Sequence, residues 1–456
     1  MFKKLYAPTD MTKGSVWKGI VLFTLPMLIG NIAQQLYSTV DSIVVGKYVG
    51  DNALAAVGSA APIAFMFLVL FMGISAGANI MVSQYFGAGK RQSLSYTVGN
   101  CITLTAICCV ALIIVVSPII KPALVMLNTP VSIIDWCADY LKISLWGIAG
   151  MAYYNILSGI IRGLGDSFST LIYLLVATVI NIVLDICFVT KLNMGVAGVA
   201  LATVIAQLIS SVLCIIKLAK MTDFFDFGKK YLKPEKDYVK TIINLGLPSG
   251  LTQAIFSSAM IIVQSLTNQF GELFIAANVV IMRVDGFAMM PNFSFGNSLT
   301  TYSGQNVGAG HYDRVVKGAK QGTLIAVGCS AVITISLLLF GKPLMSVFTD
   351  TPELVEKSYQ LMKILAVGYI AVAVTQSLSG IMRGAGDTMT PMWISLIMTV
   401  AIRVPIAYAI SYLTRTPEMP FGISECIQIS LLSSWVIGAV LTTIFFAKGK
   451  WKNKAI

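Results

Sequence analysis

Long apolar stretches, separated by short polar or glycine-containing segments, fill the chain from residue 16 to residue 447. About eighteen apolar residues in a row suffice to cross a hydrocarbon layer of about 30 Å as a helix. The pattern predicts twelve such spans: 16–45, 53–83, 93–116, 136–160, 168–190, 195–219, 239–267, 273–303, 316–340, 356–380, 390–413 and 424–447. Strands crossing a membrane would be about ten residues long with alternating polarity. These runs are longer and continuously apolar, so the fold class is an all-α polytopic membrane protein.

The polar loops carry a long internal repeat. Gln84 and Gly87-Ala88-Gly89 match Gln305 and Gly308-Ala309-Gly310, 221 residues on (305 − 84). SGIIRGLGD, from Ser158 to Asp166, matches SGIMRGAGD, from Ser379 to Asp387, at the same spacing (379 − 158). Lys142 and Gly147 find Lys363 and Gly368, and Leu25-Pro26 finds Leu247-Pro248 one residue later. Agreement of separate loops on one spacing is the mark of a duplicated unit. Each copy holds six spans and enters the membrane from the same side. The expected architecture is two six-helix lobes, 1–220 and 239–456, joined by a polar loop over 221–238 and related by a pseudo-two-fold axis along the membrane normal. The Gly-Ala-Gly and RGxGD pairs read as tight turns between helix ends.

Composition agrees with the pattern: 56% of the 456 residues are hydrophobic and 11% charged, well below the quarter or so typical of soluble domains. A net charge of +12 would suit nucleic acid if it formed a patch, but its placement says otherwise. Lys3, Lys4, Lys13 and Lys18 lie in the N-terminal tail, seven lysines lie from Lys217 to Lys240, and Lys448, Lys450, Lys452 and Lys454 lie in the C-terminal tail. Twelve spans put all three on one side, which the positive-inside rule makes cytoplasmic. No nucleic-acid partner is implied; the lipid bilayer is. The first apolar run is too long for a cleaved signal and is expected to remain as the first helix.

No G-x-x-x-x-G-K-[ST] loop is present to cradle ATP phosphates. The only histidine is His311, in a loop, and the eight cysteines include no C-x-x-C pair. Enzymatic catalysis and cofactors are therefore not expected. Intramembrane carboxylates are costly and mark ion or substrate pathways. Asp41 lies near the outer end of the first span and Asp185 about five residues before the outer end of the fifth. Asn181 shares the Asp185 face at i−4. Thr203, about eight residues or roughly 12 Å into the sixth span, brings a hydroxyl to similar depth. Adding 221 to Asp41, Asn181 and Asp185 gives Ile262, Ile402 and Ile406, so the cluster belongs to one lobe.

Such a cluster suits a proton or a sodium ion, and a purely structural role for the two carboxylates is the alternative. Gln34 and Tyr37 precede Asp41 at helical spacing and point with it into a cavity or into packing. Pro26 bends the first span by removing one N–H. Arg283, Asp285 and Arg403 form a second charged set, in the other lobe, suited to structural locking or to substrate contact.

Twelve spans in two halves, the early Leu25-Pro26 pair, the paired GAG and RGxGD turns and Asp41 together resemble the multidrug and toxic compound extrusion (MATE) family over nearly the whole chain. The resemblance implies secondary active export of small organic, often cationic or amphiphilic, compounds by antiport with protons or sodium, in a bacterial inner membrane and by a monomer. Asn181-x-x-x-Asp185 with Asp41 and Thr203 is similar to the cation site of the DinF-like branch, where Tyr140 would be a cavity residue. The NorM-like branch has further acidic residues where this chain has Gln253 and Gln376. A flippase for lipid-linked precursors is the competing function; it would line its cavity with Arg and Lys.

Overall fold

The computed structural model describes residues 8–127 and 129–456, and Lys3 and Lys4 of the basic tail lie outside them. The described residues are helical, without strands. In chain order the spans are α1 (Val16–Tyr48), α2 (Asp51–Gly87), α3 (Arg91–Val116, continued by Ile120–Met126), α4 (Ile134–Trp146 and Ile148–Gly163), α5 (Ser167–Ile186, ending in a π-helical turn Cys187–Lys191), α6 (Gly195–Ala219), α7 (Lys236–Thr267), α8 (Glu272–Gly308), α9 (Tyr312–Ser346), α10 (Pro352–Ala366 and Gly368–Gly384), α11 (Met389–Leu396 to Val404–Leu413 through a π-helical turn Ile397–Arg403) and α12 (Cys426–Ala447). Ten are long and apolar enough to cross a membrane as single helices, and the two pieces of α10, bent by 44°, make an eleventh. The two pieces of α4 break at Gly147, which the repeat pairs with Gly368. The predicted spans thus recur with ends shifted by a few residues, since apolar length fixes them and polar caps do not.

Hydroxyls inside the spans bond back to their own helix. Thr24 donates to the Ile20 carbonyl at 2.7 Å, Thr105 to Cys101 at 2.6 Å and Thr178 to Leu174 at 2.9 Å. An apolar interior offers few other partners, and this local bond satisfies the group.

The chain divides into two compact units. One holds the described residues 8–10 with Leu25–Gly250; the other holds Met11–Thr24 with Leu251–Ile456. Lobes drawn at 1–220 and 239–456 differ from this in two stretches: the first turns of α1 go with the second unit, and α7 as far as Gly250 goes with the first. The two changes of unit that fall inside a helix each lie within three residues of a proline, Pro26 and Pro248. A proline deletes one hydrogen bond of the ladder and makes these the weakest points of their helices.

The repeated SGIxRGxGD string does two things in each unit. Gly165 and Gly386 adopt φ of +93° and +98°, a left-handed turn open to glycine. The aspartate that follows caps the next helix: Asp166 accepts from the Ser169 amide at 2.9 Å and its hydroxyl at 2.7 Å, and Asp387 from Thr390 at 3.1 and 2.8 Å. The string also hides a small-x-x-x-small crossing. A Cβ on Gly163 would lie 2.9 Å from Val82 Cγ1 and 3.0 Å from the Asn79 carbonyl, and one on Gly159 would strike Ser75. Gly380 and Gly384 meet α8 at Gly296 and Thr300 in the same way. Bare backbones allow α4 to close on α2, and α10 on α8, near enough for Ser75 to bond the Asn155 carbonyl at 2.7 Å and Ser303 the Ile381 carbonyl at 2.8 Å.

Candidate functional site

In the first unit, α1, α4, α5 and α6 bring the predicted cluster together. Tyr37, one turn before Asp41 on α1, donates from Oη to Thr203 Oγ1 of α6 at 3.0 Å, and Asn181 Nδ2 of α5 reaches the same hydroxyl at 3.4 Å. The carboxyl groups of Asp41 and Asp185 lie beside each other, within reach of one shared proton. The Tyr37 and Tyr140 hydroxyls are within electrostatic range of both. Asn181 and Asp185 are fully buried. Val44 and Val45, in the turn of α1 after Asp41, join an apolar cluster with Val189, Val196 and Val199 against which Tyr140 packs.

The cluster has more acceptors than donors. Asp41 Oδ1, Asn181 Oδ1 and both Asp185 carboxylate oxygens are buried and receive no hydrogen bond. Four uncompensated oxygens on three residues are expensive in an apolar interior. A proton shared between the carboxyls would supply the missing donor. Equally, two carboxylates, an amide carbonyl and the Thr203 hydroxyl form a hard-oxygen set of the kind sodium takes.

Sequence reasoning missed Gln207, which stands one turn beyond Thr203 on α6, is 9% exposed, and also leaves its Oε1 buried without a donor. Its i+4 spacing from Thr203, the same as that of Asp185 from Asn181, was the available signal. Gln34 lies two turns from Asp41 and is exposed, with no hydrogen bond to the cluster.

The second charged set, in the second unit, is brought together in part. The Tyr369 hydroxyl of α10 donates to Asp285 of α8, and Arg403 Nε of α11 donates to Ser434 Oγ of α12 at 3.3 Å. Asp285 and Arg403 are within range of each other's charge, whereas Arg283, two residues from Asp285, is exposed and joins neither.

The profile of the family described as MatE matches this chain twice, over residues 26–187 and 248–409. The chain belongs to the MatE family. The two matches begin 222 residues apart (248 − 26), so each covers one copy of the internal repeat. Members of this family are transporters, and this MatE chain is a multi-pass membrane transporter and not an enzyme. Among curated relatives, the probable multidrug resistance protein YoeA of Bacillus subtilis is 29% identical over 411 residues, covering 89% of each chain. Two solved structures, of MATE in the bent and in the straight conformation, superpose with TM-scores of 0.91 and 0.90 at 22% identity. They cover 98% of this chain and 99% and 100% of theirs, and share its fold.

Proposed function

We propose that this chain is a secondary active exporter of small organic compounds, cationic or amphiphilic, driven by antiport with protons or sodium through alternating access. The observation that carries the reading is the set of four buried, unpartnered oxygens on Asp41, Asn181 and Asp185. Two adjacent carboxylates repel each other in a dry site, and loading a cation relieves that repulsion. A related multidrug resistance protein at 29% identity supports the substrate class.

Coupling requires that the ion bind two conformations unequally. Helix α1 carries Asp41 and Tyr37 and changes unit at Leu25, beside Pro26. Ion loading therefore favours a different bend at Pro26 and a smaller cavity beside Tyr37 and Tyr140, which expels the organic molecule. This is the DinF-like arrangement, with the cation site confined to the first unit. Gln253 and Gln376 offer no carboxylate in the second. The acidic site also favours export of cations over flipping of lipid-linked precursors. The chain works as a monomer in a bacterial inner membrane, with both termini and the 221–238 loop cytoplasmic because that side gathers the lysines.

Efflux of a fluorescent organic cation from vesicles, driven by a proton or a sodium gradient in turn, tests the proposal. One of the two gradients should drive export by the wild type and not by Asp185→Asn. Export that ignores both gradients would overturn it.

A further inference from the structure

The second unit holds charges that the coupling site does not use. Asp285 and Arg403 sit within its helices, yet no ion pair within 4.0 Å joins them. Tyr369 holds one and Ser434 the other, and among the described residues these are the only hydrogen bonds of either side chain. One Asp285 oxygen and both terminal guanidinium nitrogens are left unbonded. A carboxylate and a guanidinium free to meet in an apolar interior collapse into a bidentate pair. Engaged instead by Tyr369 and Ser434, they leave two opposite charges within range of each other.

The repeat supplies a control. The first-unit counterparts of Asp285, Tyr369, Arg403 and Ser434, 221 residues earlier, are Ala64, Ile148, Ile182 and Leu213, so the fold does not need these polar groups. The counterpart of Thr399 is Thr178, which spends its hydroxyl on the Leu174 carbonyl of a regular α-helix. Thr399, fully buried, lies in the π-helical turn Ile397–Arg403, and its hydroxyl has no partner. Such turns break the local hydrogen-bond ladder and recur at functional positions. One turn therefore delivers both the guanidinium and an unsatisfied hydroxyl. Tyr369 and Trp435, both buried, pack against each other beside these groups with ring centroids 5.9 Å apart.

We infer that Asp285, Arg403 and Thr399 form a second binding site for molecules carrying both a protonated amine and a carboxylate. A zwitterion answers both charges at once. A cation alone leaves Arg403 uncompensated, and an anion alone leaves Asp285 so. The inference rests on the reading that the chain binds small organic compounds, but not on ion coupling.

The test is equilibrium binding to the purified full-length protein without any gradient, so that a failure of coupling leaves it unaffected. The probes are Nε-dansyl-lysine (zwitterion), its methyl ester (cation) and its Nα-acetyl derivative (anion). The wild type should bind the zwitterion at least about tenfold more tightly than either derivative, the loss expected when one buried charge goes unanswered. Arg403→Gln should bring zwitterion and ester to within about twofold of each other, and Asp285→Asn should do the same for zwitterion and acetyl derivative. Equal binding of all three probes by the wild type would overturn the site, and so would a uniform loss of all three in a folded variant. If Arg403→Gln does not fold, Arg403→Lys serves instead: a charge role predicts that zwitterion preference survives in it, and its loss counts against the site.

Discussion

Replacing Thr203 by valine keeps the shape of the side chain and removes the one hydroxyl on which α1 and α5 converge. The bond from Tyr37, at 3.0 Å, is a full hydrogen bond, while that from Asn181, at 3.4 Å, is near the limit and contributes little. Tyr37 Oη, which makes no other hydrogen bond among the described residues, then loses that acceptor. Leaving such a donor unpaired costs about 1–3 kcal/mol. If the contact exists only when the ion is loaded, the coupling-ion concentration giving half-maximal efflux rises by about 5- to 150-fold, with the maximal rate retained. The assay is vesicle efflux titrated against the driving ion. Tyr37→Phe removes the same bond from the other side, so the double variant should be no worse than Thr203→Val alone. Additive losses in this double-mutant cycle, or an unchanged titration in both single variants, would refute the role assigned to the contact.

Further expectations concern the helix crossings and the connecting loop. Gly159→Ala and Gly380→Ala each force a methyl against a facing helix, Gly159 at Ser75 and Gly380 at Gly296, and should lower stability by about 1–3 kcal/mol, read as a lower Tm in detergent. Gly58→Ala, with open space around its Cβ, should change Tm little. From the start of α3, Arg91 grips Asp226 of the loop at 2.6 Å and the carbonyls of Thr222 and Asp223, and its guanidinium holds the Asp226 carboxyl below the usual carboxylate range. A carboxyl lowered on folding stabilises above its unfolded value of about 4 and ceases to as pH falls through the lowered one. Amide exchange across residues 222–228, corrected for intrinsic rates, should therefore speed up below that range, and Arg91→Gln should abolish the change.

The spans, their duplication and the acidic cluster were legible in the sequence because each rests on a simple period. Apolar length marks a span, a constant 221-residue spacing marks a copy, and i+4 spacing puts Asn181 and Asp185 on one face. What stayed hidden depends on contacts between helices. Nothing in the local sequence assigns the turns of α1 before Leu25 to the second unit, since an apolar helix gives the same pattern whichever neighbour it packs on. The SGIxRG strings read as turns because Arg and Asp drew attention to their polar ends, while Gly159-x-x-x-Gly163 and Gly380-x-x-x-Gly384 carried the packing signal. The π-helical turn at Ile397–Arg403 left no mark, and so the free hydroxyl of Thr399 was invisible beside its ordinary counterpart Thr178. Exposure separates Arg283 from Asp285, which sequence proximity had joined.

Loading of the driving ion by Asp41 and Asp185 is the step on which the proposed antiport depends. Its most direct measurement is gradient-driven efflux of an organic cation by reconstituted protein, comparing wild type with Asp41→Asn, Asp185→Asn and the double variant, each confirmed folded by its Tm. The wild type should export its substrate under a proton or a sodium gradient, and all three variants should lose that export. Wild-type export by the folded double variant would contradict it.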